Sequence, residues 1–367
     1  MTSPMTADRL RRWFLDDALP LWWSIGADAQ GGFHESLGQE NGRPTPAPRR
    51  LRVQARQSAV YAQAGALGWN GPWAEACAHG LDFLLARYLR PDGLVRALVA
   101  PDGSVLDDTA VLYDQAFALY AMAEAGRALP HRLPELEAHA LGIRAALPRN
   151  PAGGFLEAGA RRYQSNPHMH LLEAALSWEA TAPNPAWTAL ADEIATLAQN
   201  RFIDAEGGYL REFFAADWSP APGPDGRVVE PGHQFEWAWL LERYARDRKH
   251  AGARAKALKL YEVGRTRGVD PARGVAFNAM DDTLAPLDET ARLWPQTERI
   301  KAAALFAPED VAPAVAGLGL YLDTAVRGLW FDRMRPDGVF IDEPAPASSF
   351  YHIAGAVAGL GAASAIR

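Results

Sequence analysis

The sequence holds one cysteine, Cys77, in 367 residues. A single thiol excludes an intrachain disulfide framework and a multi-thiolate zinc site. Long apolar runs are missing as well: no stretch approaches the roughly 18 apolar residues of a membrane-spanning helix. The segment from Met1 to Leu21 carries Asp8, Arg9, Arg11, Arg12, Asp16 and Asp17, so it has no apolar run of signal-peptide kind. Basic charge is in deficit, with 37 Lys and Arg against 44 Asp and Glu and a formal charge of −7. That argues against nucleic acid or an anionic membrane as a main partner, since both favour basic surfaces. Phosphate-loop and dinucleotide glycine fingerprints are absent, and no HExxH pair occurs. These gaps lead to the expectation of a cytoplasmic protein that uses neither cofactor nor metal.

What is present is apolar and aromatic. Hydrophobic residues make up 49% of the chain, enough for a large core, and there are 12 Trp and 9 His. Tryptophan lines sugar pockets with flat faces, but it is also core material.

Ala- and Leu-rich helical patterns recur throughout, punctuated by Gly and Pro. The pattern predicts about twelve helices, near 7–25, 51–68, 72–90, 109–127, 131–147, 167–181, 185–201, 231–247, 250–267, 289–306, 309–328 and 349–366. No charged or Ser-rich linker divides them, so residues 1–367 are expected to form one domain. Between helices lie glycine-centred turns whose middle glycines are Gly32, Gly93, Gly154, Gly208, Gly274 and Gly338. Their steps are 61, 61, 54, 66 and 64 residues. A period near 60, repeated six times, is the signature of a repeat architecture. Each unit reads helix, Gly turn with a short β-like ribbon, helix. Six helical hairpins close into an all-α double ring, an (α/α)6 barrel. The helix after each Gly turn then belongs to the inner ring.

Polar and aromatic residues mark the starts of those inner helices. Arg56, Tyr113, His170, His233, Trp294 and His352 are separated by 57, 57, 63, 61 and 58 residues. The repeat therefore directs six such groups at one end of the barrel. In Pro231-Gly-His-Gln-Phe-Glu-Trp237, proline suits a first helical turn and His233 and Glu236 share a face. An ionisable pair opening an apolar helix is either a buried structural pair or a proton-handling one. Asn166-Pro-His-Met-His-Leu-Leu-Glu173 reads as a capped helix start with His170 and Glu173 on one face. Arg52 and Arg56 lie four apart, as a solvated basic stripe or as a fixed charge for an oxyanion. Trp294 and Glu298 share a face, and His352 opens the last helix. His79, His131, His139 and His250 fall on outer or surface helices and receive no role. Three histidines with Glu173 and Glu236 supply enough ligands for a metal site, but no local ligand pair supports one.

These motifs are specific enough to show a family resemblance. Gln54-Ala-Arg-Gln57, Asn166 to Ala174, Pro231 to Trp237, Trp294-Pro-Gln-Thr-Glu298 and Phe350-Tyr-His352 resemble the N-acylglucosamine 2-epimerase superfamily, the (α/α)6-barrel sugar isomerases and epimerases. The resemblance covers essentially the whole chain. Within it, Trp294–Glu298 and Ser348–His352 look most like the aldose–ketose isomerases acting on free mannose. Sulfoquinovose isomerases are close relatives. The disaccharide epimerases carry a Trp-containing stretch where this chain has Glu343-Pro-Ala-Pro-Ala-Ser-Ser349.

The resemblance implies a monosaccharide substrate bound by Arg56, Tyr113, Asn166, His170, His233, Glu236, Trp294 and His352. Aldose–ketose isomerisation moves a proton from C2 to C1 through a cis-enediol or its anion, work suited to histidine. His352 is then expected to shuttle that proton, and His233, held by Glu236, to open the ring and protonate oxygen. Arg56 would stabilise the oxyanion, with His170 and Asn166 polarising O1 or O2 and Trp294 stacking on the sugar. Arg52 and Glu298 complete the expected binding set. Two other classes compete: a glycoside hydrolase or lyase using Glu173, Glu236 and Glu298, and a non-catalytic sugar-binding protein. The sequence leaves the oligomeric state open.

Overall fold

The computed structural model describes residues 4–365 and contains twelve major helices among them. The first, α1, is composite: Ala7–Arg12 and Leu19–Ser24 are α-helical and Trp13–Ala18 between them is π-helical. Then follow α2 (Leu51–Ala64), α3 (Trp73–Tyr88), α4 (Leu112–Ala128), α5 (Leu133–Ala146) and α6 (Ser165–Thr181). The second half holds α7 (Pro185–Leu197, extended by a π-helical Ala198–Phe202), α8 (Pro231–Arg248), α9 (Ala251–Arg267), α10 (Leu293–Phe306), α11 (Val311–Tyr321) and α12 (Phe350–Ala365).

The even-numbered helices form the inner ring. Each packs on the next, and α12 returns to α2. The odd-numbered helices lie outside, each against an inner partner. Inner helices are buried nearly all round, as expected of a helix with neighbours on every side. Large aromatics fill the space between the rings. Trp178 of α6 stacks on Trp187 of α7 at 5.2 Å, and Trp22 of α1 stacks on Trp330 at 4.7 Å.

All six middle glycines of the turns have positive φ, from 69 to 86°. At Gly154 a side chain is also excluded by space: a Cβ would lie 2.7 Å from Leu197 and 2.8 Å from His168 Nε2. The ribbon after the turn is clamped to its inner helix by an amide side chain. Gln54 accepts from Phe33 N (2.7 Å) and donates to Phe33 O (2.9 Å). Gln115 does the same to Val95, Gln234 to Leu210 and Gln296 to Ala276. In the third repeat His168 substitutes, accepting from Phe155 N at 2.9 Å. These bonds tie the loops rigidly to the helix starts. The ring closes through its loops as well, where Ser36–Leu37 pairs antiparallel with Ala345–Pro346.

Several helix ends differ from the sequence expectation. The helix expected from 289 starts at Leu293, because Pro286–Asp288 and Ala291–Arg292 are ribbon strands. The one expected over 309–328 stops at Tyr321, where Leu322 N turns back to Gly319 O. Helix α2 stops at Ala64 rather than 68. Helix α6 begins at Ser165, so Asn166 lies inside the first turn and does not cap it. The expected end at 366 lies outside the described residues.

Candidate active site

The starts of the inner helices converge on a pocket of about 190 Å³. All six repeat-related residues line it: Arg56, Tyr113, His170, His233, Trp294 and His352. Asn166 and Glu236 line it too, as the motifs suggested, together with Glu230, Arg292, Ser348 and Ser349, which sequence reasoning passed over. The volume is below the usual 300–1,000 Å³ of pockets for drug-sized ligands and suits one small polar molecule.

The two histidines flanking Trp294 are held in opposite charge states. Their ring centres lie 5.0 Å (His233) and 5.7 Å (His352) from the indole. His233 Nδ1 is 2.9 Å from Glu212 Oε2 and 3.5 Å from Glu230 Oε2. Burial favours the neutral ring, but Glu212 and Glu230 together outweigh it and raise the pKa to about 10. His233 is therefore an imidazolium at neutral pH. His352 Nδ1 lies 2.9 Å from Glu298 Oε1. There burial, helped by the Arg56 and Lys301 charges, holds the imidazole well below its ordinary pKa. It stays neutral, donates Nδ1–H to Glu298 and keeps Nε2 as a free base. Environments that push two titratable groups apart in this way suit one to give a proton and the other to accept one.

His170 belongs to the same wall. Burial lowers it to about 4 despite Glu173 at 3.4 Å. Tyr113 and Phe117 pack on its ring. Glu173 also accepts from the Tyr351 hydroxyl. Although buried, it is held down to about 2 by His170, Lys301 and Tyr351. Glu236 is different. Its two oxygens have no hydrogen-bond partner, and burial with Glu298 nearby pushes its pKa well above the carboxylate range. Burial thus favours its uncharged form, the one able to donate to a ligand.

Arg56 is 5% exposed. Its Nη2 donates to the Tyr113 hydroxyl (2.6 Å) and its Nη1 to Ser348 O (3.1 Å), while Nε has no partner. Asn166 Oδ1 and Arg292 Nε are also buried without partners. Such orphans need a compensating bond, and here they occur at residues that line one pocket.

Three expectations are corrected. Glu236 does not hold His233; Glu212 does, because the loop after the fourth glycine turn returns over the start of α8. Arg52 does not reach the pocket: it forms a two-pronged ion pair with the fully buried Asp114 (2.7 and 3.2 Å) and lies over Tyr113. Glu298 has no exposed surface and does not line the pocket. It sits between His352 and Lys301, whose Nζ is 2.6 Å away. Glu212 had a faint sequence signal. Glu35, Glu157 and Glu212 follow their turn glycines by three, three and four residues. Glu35 accepts from Arg50 N, and Glu157 from Leu112 N and Tyr113 N, so these loop carboxylates meet inner-helix starts.

Three His–carboxylate groups have ligand-type atoms within 4.8 Å of one another: His170 with Glu173 and Glu236, His233 with Glu212 and Glu230, and His352 with Glu236 and Glu298. In each, the histidine's Nδ1 already faces a carboxylate. Cys77 is buried, and burial raises its thiol to about 12, far from nucleophilic.

The sequence model of the N-acylglucosamine 2-epimerase (GlcNAc 2-epimerase) family matches residues 31–356. A Rhizobium meliloti (strain 1021) protein named mannose-6-phosphate isomerase is 45% identical over 372 residues, covering 96% of each chain. Among solved structures, a D-mannose isomerase superposes with a TM-score of 0.85 at 20% identity, covering 97% of both chains. The cellobiose 2-epimerase from Bacillus thermoamylovorans superposes at 0.86 with 16% identity, covering 97% of this chain and 99% of that one. The structural likenesses establish the (α/α)6 barrel. The chain belongs to the N-acylglucosamine 2-epimerase family and is an isomerase or epimerase of that superfamily. No helix among the described residues is long and apolar enough to cross a membrane.

Proposed function

We propose that this enzyme is an aldose–ketose isomerase that interconverts D-mannose and D-fructose without a metal. The observation that carries the reading is the pairing of a neutral His352 with a charged His233 across Trp294. His233 donates a proton to the ring oxygen as the pyranose opens and regains one from the anomeric O1 hydroxyl, which becomes the C1 carbonyl. His352 Nε2 then removes the C2 proton and returns it to C1 on the same face of a cis-enediol. The oxygen proton moves the other way: His233 delivers one to O1 and recovers one from O2, so the proton count closes. Arg56 stabilises the charge that develops on oxygen, and loss of one such donor typically costs about 3 kcal/mol. Asn166 and His170 bind O1 and O2, and Trp294 covers the apolar sugar face.

At the His233 group a metal-free reading is supported by the charge on that ring, since an imidazolium has no lone pair to ligate with. The relative's name raises the question of a phosphate ester. Arg292 is the candidate cation, but its Nη2 already faces Asp332 at 3.3 Å. Glu230 and Glu236 share the pocket, and its volume holds little beyond one hexose. The free sugar is therefore the preferred substrate. The hydrolase reading lacks support, because Glu173 and Glu298 are engaged in holding His170 and His352.

D-Mannose in heavy water tests the proposal. Fructose should form first, labelled at C1 or unlabelled where the base shields its proton. Glucose deuterated at C2 as the main early product, with fructose absent, would make this a 2-epimerase. A higher kcat/KM for mannose 6-phosphate or for a 6-sulfonated sugar would overturn the substrate assignment.

A further inference from the structure

The barrel axis carries a second, larger cavity of about 690 Å³, formed by the C-terminal halves of all six inner helices. It lies beyond the catalytic pocket, past a floor to which Glu173, Lys301 and Tyr351 contribute. Its walls combine alanine, glycine and leucine with the aromatic rings of Trp73, Tyr120, Trp239 and Tyr351 and several charged side chains. Two cations lie over the Trp239 indole: Arg243 Cζ at 4.6 Å and Lys301 Nζ at 4.0 Å from its centre. Arg127 and Arg246, each 48% exposed, also contribute to the lining.

The cavity's charge is opposite to that of the chain. Four cations, Arg127, Arg243, Arg246 and Lys301, face it with two carboxylates, Glu124 and Glu173. The difference is 4 − 2 = +2, on a chain of formal charge −7. Three of the cations have carboxylate partners: Arg127 with Glu124, Arg246 with Glu242 and Lys301 with Glu298. Arg243 has none among the described residues, and its guanidinium lies over the Trp239 face. An unpaired guanidinium beside apolar walls matches a ligand with one acidic head and an apolar body.

We propose that this cavity is a second ligand site, for an organic anion with an apolar or aromatic body, and that its occupancy reaches His352 through Lys301 and Glu298. Binding is independent of the isomerase reading; only the coupling rests on His352 being the base. The path is short. Lys301 Nζ lines the cavity and contacts Glu298 Oε2 at 2.6 Å, and Glu298 Oε1 contacts His352 Nδ1 at 2.9 Å. His352 is faced by Arg56 from α2, His170 and Glu173 from α6, Glu236 from α8, and Glu298 and Lys301 from α10. Of these, Lys301 and Glu173 are the two that also face the far cavity. An anion beside Lys301 offsets a charge that keeps His352 deprotonated, so the acid limb of activity moves to higher pH.

The probe is 8-anilinonaphthalene-1-sulfonate, titrated into the full-length protein by calorimetry and fluorescence. One saturable site is expected, unaffected by saturating D-mannose. Arg243→Gln should weaken it about tenfold, the scale of one lost charge-assisted contact. Ala358→Leu, which narrows the cavity without touching a charge, should weaken it as well. Both variants should keep wild-type turnover without probe. In wild type, bound probe should move the acid limb of kcat/KM upward, and in Arg243→Gln at the same concentration it should not. Competition by mannose, or binding unchanged by both substitutions, would overturn the site. Saturable binding with an unmoved acid limb would overturn the coupling. Probe binding intact in a protein that does not turn over mannose would sink the isomerase reading and uphold the site.

Discussion

His233 Nδ1 lies 2.9 Å from the carboxylate of Glu212, a loop residue 21 positions earlier in the chain. Glu236, one turn further along the same helix, was the partner its spacing suggested. The loop carboxylate helps hold His233 in its charged form, whereas burial pushes the other two pocket histidines toward the neutral form.

The first prediction concerns Glu212→Gln. An amide still accepts from Nδ1 but no longer stabilises a positive ring. Activity should fall, and the alkaline limb of kcat/KM should move down from near pH 10. An unmoved alkaline limb would mean that another group sets it.

The wild-type pH profile follows from the two shifts. Loss of the His233 proton near pH 10 closes the alkaline side. Protonation of His352 closes the acid side only well below the ordinary histidine range. Activity measured across the neutral and mildly alkaline range should show a broad plateau. Stability carries the same sign for His233. Its folded pKa exceeds the unfolded value, so its stabilisation is complete below about pH 6.5 and is lost as pH rises through about 10. Thermal melts between pH 7 and 10.5 read this directly.

His352→Asn and His233→Asn should each lower turnover by at least about 10²-fold while leaving a folded protein, the usual scale for a general acid or base. Near-normal turnover in a folded His352→Asn would make that histidine structural. His250→Ala is the control. His250 is exposed and caps α9 by accepting from Ala253 N at 3.0 Å, so about 1 kcal/mol of stability should go and activity should stay.

Exhaustive chelation should leave turnover unchanged. Activity that disappears and returns only with a stoichiometric divalent ion would make one of the His–carboxylate groups a metal site.

The glutamine clamps predict a stability effect remote from chemistry. Gln115→Leu leaves the Val95 amide and carbonyl buried without their partners, at a cost of about 1–3 kcal/mol for each unsatisfied group. Urea unfolding should show the loss. An unchanged midpoint would mean that water or a loop shift replaces both bonds.

The sequence by itself determined the barrel and the six groups at its mouth. Glycine turns recur at a fixed spacing because each helical hairpin can bury its inner face only against the next. The polar residues recur because the start of each inner helix faces the same axis. Helix ends were less legible at 293 and 321, where extended segments and a tight turn compete with helical propensity. Pairing across repeats was legible only in the tertiary structure. Periodicity within a helix joins His233 to Glu236 and His170 to Glu173, since neighbours three apart share a face. Glu212 reaches His233, Asp114 takes Arg52 from the pocket, and Glu298 links His352 to Lys301 because loops and helices far apart in the chain are folded together. A histidine's charge depends on those long-range partners and on burial, so which histidine is charged and which is neutral is a property of the closed ring.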